Sequence, residues 1–152
     1  RRIFLKGSLA SGAIGMAVGT GLLTPRIALA AWSKEAFEAT DVDGALNGLF
    51  GSSDLTGSDN IKIKAPDIAE NGAVVPVSVT TDISGASSIS IIAEKNAQPL
   101  AASFDLGPGT EGYVSTRIKM GKTASVIAVV KADGKLHSTG KEVKVTIGGC
   151  GG

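Results

Sequence analysis

Ala73-Val74-Val75-Pro76-Val77-Ser78-Val79-Thr80-Thr81 is the stretch on which the fold turns. From Val75 onward every second residue is apolar, the period of a strand that buries one face. Glu70-Asn71-Gly72 supplies a turn just before it. Pro76 brings no N–H to a ladder, so this run is expected at a sheet edge or at a bulge. Outward in both directions the pattern repeats. Ile61-Lys62-Ile63-Lys64 alternates apolar and charged, and apolar runs occupy 88–94, 100–106, 113–120 and 123–130. Asp133-Gly134 is a two-residue hairpin signal, followed by runs at 135–138 and 141–147. About seven short β-runs separated by turn residues predict a mainly β fold, an immunoglobulin-like antiparallel sandwich. The cysteine pair and core tryptophan of antibody domains are absent, so the likeness is architectural. Trp32, Phe37, Phe50, Phe104 and Tyr113 are read as core or interface residues.

Upstream of the strands the period changes. Residues 33–39 form a short predicted helix with Ser33 as N-cap. In 41–50, Leu46, Leu49 and Phe50 share a helical face, although two glycines weaken that segment.

The first thirty residues read as an address. Arg1-Arg2 and Phe4-Leu5-Lys6 precede a weakly apolar stretch, and Ala28-Leu29-Ala30 is a small-x-small site predicting cleavage after Ala30. The paired arginines resemble a twin-arginine export signal, which implies a periplasmic protein. An uncleaved anchor is the competing reading. It is disfavoured because glycine, alanine and serine fill much of the stretch and Pro25-Arg26 interrupts it. The predicted organisation is therefore a signal at 1–30, a β-sandwich carrier domain at 31–147 and an arm at 148–152.

Four of the 15 basic residues and none of the 14 acidic ones lie in the signal, which leaves the mature part at −3. No cluster of lysine and arginine is visible after Lys6. Nucleic acid and stable membrane contact after cleavage are both disfavoured, since each needs clustered cations. No run of ligand residues suggests a metal or a cofactor. His137, the one histidine, is expected at the surface, and Asp41, Asp43, Asp54 and Asp59 are expected in caps and solvated loops.

The chain carries one cysteine. Exported proteins usually pair theirs, so Cys150 is free, joined to another chain, or derivatised. Gly148, Gly149, Gly151 and Gly152 surround it. Glycine leaves the thiol unshielded on a flexible, thin-walled arm, at an ordering cost of about 1–2 kcal/mol per residue. A free thiol titrates near ~8.5 and nothing in the arm activates it. A terminal carboxylate about 7 Å away would cost its thiolate roughly 0.6 kcal/mol in water. Base and electrophile must come from elsewhere. The chain reads as a carrier of a covalent intermediate, not an enzyme.

An export signal, a β-rich domain and a terminal Gly148-Gly149-Cys150-Gly151-Gly152 together resemble the SoxY family, the sulfur carriers of the periplasmic thiosulfate-oxidising Sox system. The resemblance implies a heterodimer with a SoxZ-like β-sandwich subunit. It implies Cys150 as the attachment site, loaded by a haem c-type oxidase to a cysteine S-thiosulfonate. A hydrolase would then release sulfate and leave a persulfide, on which a sulfane dehydrogenase acts in some organisms. Two other classes compete: an assembly module cross-linked through an intermolecular disulfide at Cys150, and a thiol redox protein, disfavoured for want of a resolving cysteine.

The signal reading makes a direct prediction. Mass spectrometry of the exported protein should find its N-terminus at Ala31; an exported protein that keeps residues 1–30 would contradict the cleavage.

Overall fold

The computed structural model describes residues 33–146. The residues 1–30 read as an export signal, together with Trp32, Ile147 and the segment 148–152 with Cys150, lie outside the described residues.

Among the described residues two short helices lead into nine strands: α1 (Lys34–Glu38), α2 (Val42–Phe50), β1 (Leu55–Gly57), β2 (Ile61–Lys64), β3 (Ile68–Ala69), β4 (Val75–Thr81), β5 (Ala86–Ala93), β6 (Leu100–Asp105), β7 (Tyr113–Ile118), β8 (Ala124–Ala132) and β9 (Lys135–Val145). One sheet runs β1-β9-β8-β5-β6, with β3 also paired to β9; the other runs β2-β4-β7. The long pairings are all antiparallel. The immunoglobulin-like sandwich expected from the strand pattern is the architecture observed.

Burial follows the two-residue period. In β4, Val75, Val77 and Val79 face inward and meet Ile89 and Ile91 of β5 and Val126, Ala128 and Val130 of β8. The alternate residues of the larger sheet look the other way. Ile92, Leu100, Val129 and Leu136 pack beneath Ala36, Ala45 and Leu46 of the helices. β5 and β8 are therefore buried on both faces, which explains their nearly unbroken apolar runs. Leu46, buried, and Leu49 and Phe50, partly buried, share the inward face read from the sequence, and Asp41 caps α2 by accepting the Gly44 N–H at 2.7 Å.

Several expectations are corrected. The run around Pro76 is the central strand of its sheet, and its pairing with β7 has no register shift. Thr81 N–H donates towards Gly112 beside β7, and Asp82 N–H donates towards Asn60 beside β2. Alternation then turns the Pro76 nitrogen to the β2 side, beyond the last β2 pair, Lys64 with Ser78. No ladder bond is lost there. Ser33 makes no side-chain cap; its hydroxyl donates to the Gly48 carbonyl at 2.8 Å and ties α1 to α2. The runs at 135–138 and 141–147 are one continuous strand up to Val145, because β8 pairs with it throughout. β1 and β3 were not expected. Both pair in parallel with β9 and are too short to show a period of their own. Asp133 and Gly134 form the predicted hairpin, both at positive φ.

Gly48 carries the close approach of the helices. A Cβ there would stand 2.8 Å from the Ala36 Cα and backbone nitrogen. Gly48→Ala should therefore lower stability by about 1–2 kcal/mol, an overpacking cost only partly offset by the better helix propensity of alanine. Urea unfolding measures it, and a stabilised variant would contradict the packing.

Candidate functional site

The chain leaves the sandwich at the far end of β9, and that end is held on both sides. On one flank Ile68 and Ala69 of β3 pair with Lys144 and Val145. Lys144 N–H donates to Asp67 O at 2.9 Å and Thr146 N–H to Ala69 O at 3.1 Å. On the other flank, Val145 N–H donates to the Thr123 hydroxyl at 2.9 Å. Lys141 adds a strut: its ammonium donates to Ala65 O at 2.7 Å and pairs with Asp67 at 2.9 Å. The Val145 side chain packs on the core between the sheets. Everything beyond Thr146 thus starts from a fixed point. Cys150, four residues on, has a maximum reach of about 14 Å from Thr146.

The loops around this point bring lysines together. Asn96, in the β5–β6 turn, donates from Nδ2 to Lys119 O at 2.6 Å. Its Oδ1 accepts the Gly121 N–H at 3.0 Å. The two loops so joined border a cleft of about 490 Å³ that includes Lys95, Lys119 and Lys122. The sequence showed no basic cluster after Lys6; folding assembles one from residues up to 27 positions apart. The only signal available beforehand was the pairing of Lys119 and Lys122 around Gly121.

A second feature lies on the outer face of the smaller sheet. Tyr113 is 52% exposed, so among the described residues it is not part of the core. Hydrogen bonding from Ser78, and then from Ser115, holds its phenol below the ordinary value, with slight desolvation opposing and Lys64 assisting. The hydroxyls of Ser78 and Ser115 are themselves 2.9 Å apart. Pro66, Pro76 and Lys64 complete the adjoining cleft of about 510 Å³.

Other sequence candidates take structural places. His137 is partly exposed in β9, opposite Val130 on one side and Thr56 on the other. Phe37, Phe50 and Phe104 pack against the two cores. Among the described residues there is no group of three His, Cys, Asp or Glu able to hold a metal, and no helix long and apolar enough to cross a membrane.

Comparison with known proteins supplies relatives. A family model described as "Sulfur oxidation protein SoxY" matches residues 46–150, a stretch that ends on Cys150. No curated protein matches the chain. A solved structure, the sulfur carrier protein SoxY from Chlorobium limicola f thiosulfatophilum, is similar at 50% identity and a TM-score of 0.63. The similarity covers 69% of this chain and 96% of that one.

Tyr113 is the single tyrosine, so an ultraviolet titration reads it alone. Its midpoint should fall below the ordinary value near ~10, and Ser78→Ala should raise it. A depressed folded value means that ionisation favours the folded state only at alkaline pH, above the unfolded value; at neutral pH it contributes nothing. A midpoint unmoved by Ser78→Ala would contradict the hydrogen bonding.

Proposed function

The chain belongs to the SoxY family of sulfur oxidation proteins, with a sulfur-carrier role in the Sox system, and on that premise we propose that Cys150 is the atom that carries the cargo. The observation that bears most weight is that the family match runs through to Cys150, just past the pinned end of β9.

Loading joins the outer sulfur of thiosulfate to the Cys150 sulfur. The thiol loses its proton, and two electrons pass to a haem c-type oxidase. The product is a cysteine S-thiosulfonate. Hydrolysis then adds water oxygen to the sulfonate sulfur and breaks its bond to the sulfane sulfur. Sulfate departs, and Cys150 keeps one extra sulfur as a persulfide. This chain supplies no base, acid or oxidant for either step; partner enzymes do. Its contribution is presentation. A cysteine between glycines has little bulk on either side, and the fixed root of β9 gives each partner the same starting point.

The same reading places the protein in the periplasm, exported through the twin-arginine signal, and in a heterodimer with a SoxZ-like β-sandwich subunit. It needs no metal and no cofactor; the only covalent group is the sulfur substrate on Cys150.

Cys150→Ser tests the assignment. The variant should lose thiosulfate-dependent loading completely while its unfolding free energy stays within about 0.5 kcal/mol of the parent, as for a surface change. Loading that survived the substitution, or a parent chain that gave only disulfide-linked dimers, would overturn the carrier reading.

A further inference from the structure

The smaller sheet ends on β7, and among the described residues nothing pairs with the far side of that strand. Gly112 O accepts the Thr81 N–H at 2.7 Å, and Met120 N–H donates to Gly72 O at 2.7 Å. The even-numbered residues of β7 therefore turn their backbone groups towards β4. Tyr113, Ser115 and Arg117 turn theirs outward, by the alternation of an antiparallel ladder. Tyr113 N–H goes to Glu111 O at 2.7 Å. The Tyr113 C=O and both backbone groups of Ser115 and Arg117 are left facing out. Further along, the same edge is closed. Asn96 donates from Nδ2 to Lys119 O at 2.6 Å and accepts the Gly121 N–H at 3.0 Å, as a neighbouring strand would. The open length is bounded: it runs from Tyr113 to Arg117.

Exposed edges usually carry devices that discourage pairing. β6 has them: Pro99 precedes it, and a register shift opposite Ile91 and Ile92 leaves Ala101 as an extra residue. β2 has Lys62 and Lys64, and Pro66 follows. β7 pairs with β4 without a shift and contains no proline. Its outer side chains are Tyr113, Ser115 and Arg117, all exposed. Across the sandwich β6 lies against it, and Phe104 and Leu106 on that side are only partly buried. A strand laid along β7 would turn alternate side chains onto those two and complete the cover of the core.

The outer face of the sheet selects the kind of strand that fits. Cross-strand register puts Lys62, Thr80 and Tyr113 in one row, Lys64, Ser78 and Ser115 in the next, and Pro76 with Arg117 in a third. These rows hold three cations and no carboxylate, and among the described residues none of the three cations is ion-paired. Opposite charges across strands stabilise pairing, and like charges oppose it. We propose that β7 is a docking edge, to which an extended acidic segment of a partner protein adds as a fourth, antiparallel strand. Its carboxylates lie beside Arg117 on the outer face, and its apolar residues cover Phe104 and Leu106 on the inner one. Backbone bonds give such an addition its hold, and the alternate side chains give it selectivity. A second copy of this chain fits less well, because it would extend the same face with three more cations. The inference makes no use of Cys150 and stands apart from the carrier reading. Because Asn96 closes the edge at Lys119, a segment docked on β7 stops short of the clamp on the end of β9.

A synthetic peptide of about eight residues, long enough for a typical strand, tests this. It alternates valine with glutamate and is capped at both ends. Added in millimolar excess to isotope-labelled protein with Cys150 kept reduced, it should slow hydrogen exchange severalfold at the Ser115 and Arg117 amides and leave the β2 amides unchanged. Control peptides separate the causes. Lysine in place of each glutamate should remove the protection. Methyl groups on the glutamate nitrogens, which in this register face β7, should also remove it. Methyl groups on the valine nitrogens, which face away, should leave it intact. On the protein side, Arg117→Glu should weaken binding about tenfold, since a like charge then replaces an opposite one. Ser115→Pro takes away one outward N–H and should abolish binding, and melting curves verify the fold of both variants. Unchanged exchange at Ser115 and Arg117, equal protection by the lysine peptide, or tolerance of the methylated glutamate nitrogens would overturn the docking. So would protection that grows with protein concentration alone, which would assign the edge to a second copy.

Discussion

The hydrogen bonds that clamp the end of β9 between β3 and Thr123 are the constraint on which the rest depends. A thiol on a glycine-rich segment is useful to several partners only if the segment starts from a known place. Ile68 and Ala69 hold one side of Lys144 and Val145, and the Thr123 hydroxyl holds the other. Both clamps depend on the sandwich behind them. β3 is only two residues long and would not persist without β9 to pair with. Thr123 is placed by β8, whose strand begins at the next residue. The doubly buried pair β5 and β8 provides the rigidity, since close-packed interiors transmit displacement rather than absorb it.

The larger part of this architecture was legible because burial imposes a period. β4 alternates along its whole length, and β5 and β8 appear as apolar runs bounded by turns. α2 showed its face through Leu46, Leu49 and Phe50. What escaped notice had no period to show. β1 and β3 exist because β9 offers them free backbone groups, and three or two residues cannot reveal that in advance. Pro76 misled for a sharper reason. The missing N–H rules out a ladder bond on one side only, and whether that side is occupied depends on how far β2 extends, which is a tertiary fact. Ser33 was expected to cap its own helix; it bonds Gly48 instead because the absent side chain there lets the helices touch.

The candidate site divides in the same way. Cys150 stood out in the sequence, since a lone cysteine between glycine pairs has few structural uses. The lysines could not be found so, because Lys95 and Lys119 meet only when the β5–β6 and β7–β8 loops fold to one end. An overall charge of −3 for residues 31–152 argued against polyanions, and it concealed a local concentration of the opposite sign. Net charge governs long-range encounter; a cleft of this size answers to the few charges on its rim.

The most direct measurement is the intact mass of the protein taken from cells oxidising thiosulfate, followed by peptide mapping before and after reduction. The account predicts added sulfur or thiosulfonate on Cys150 that a reductant removes. A chain bearing no such group under those conditions, or one whose added sulfur maps to a different residue, would contradict it.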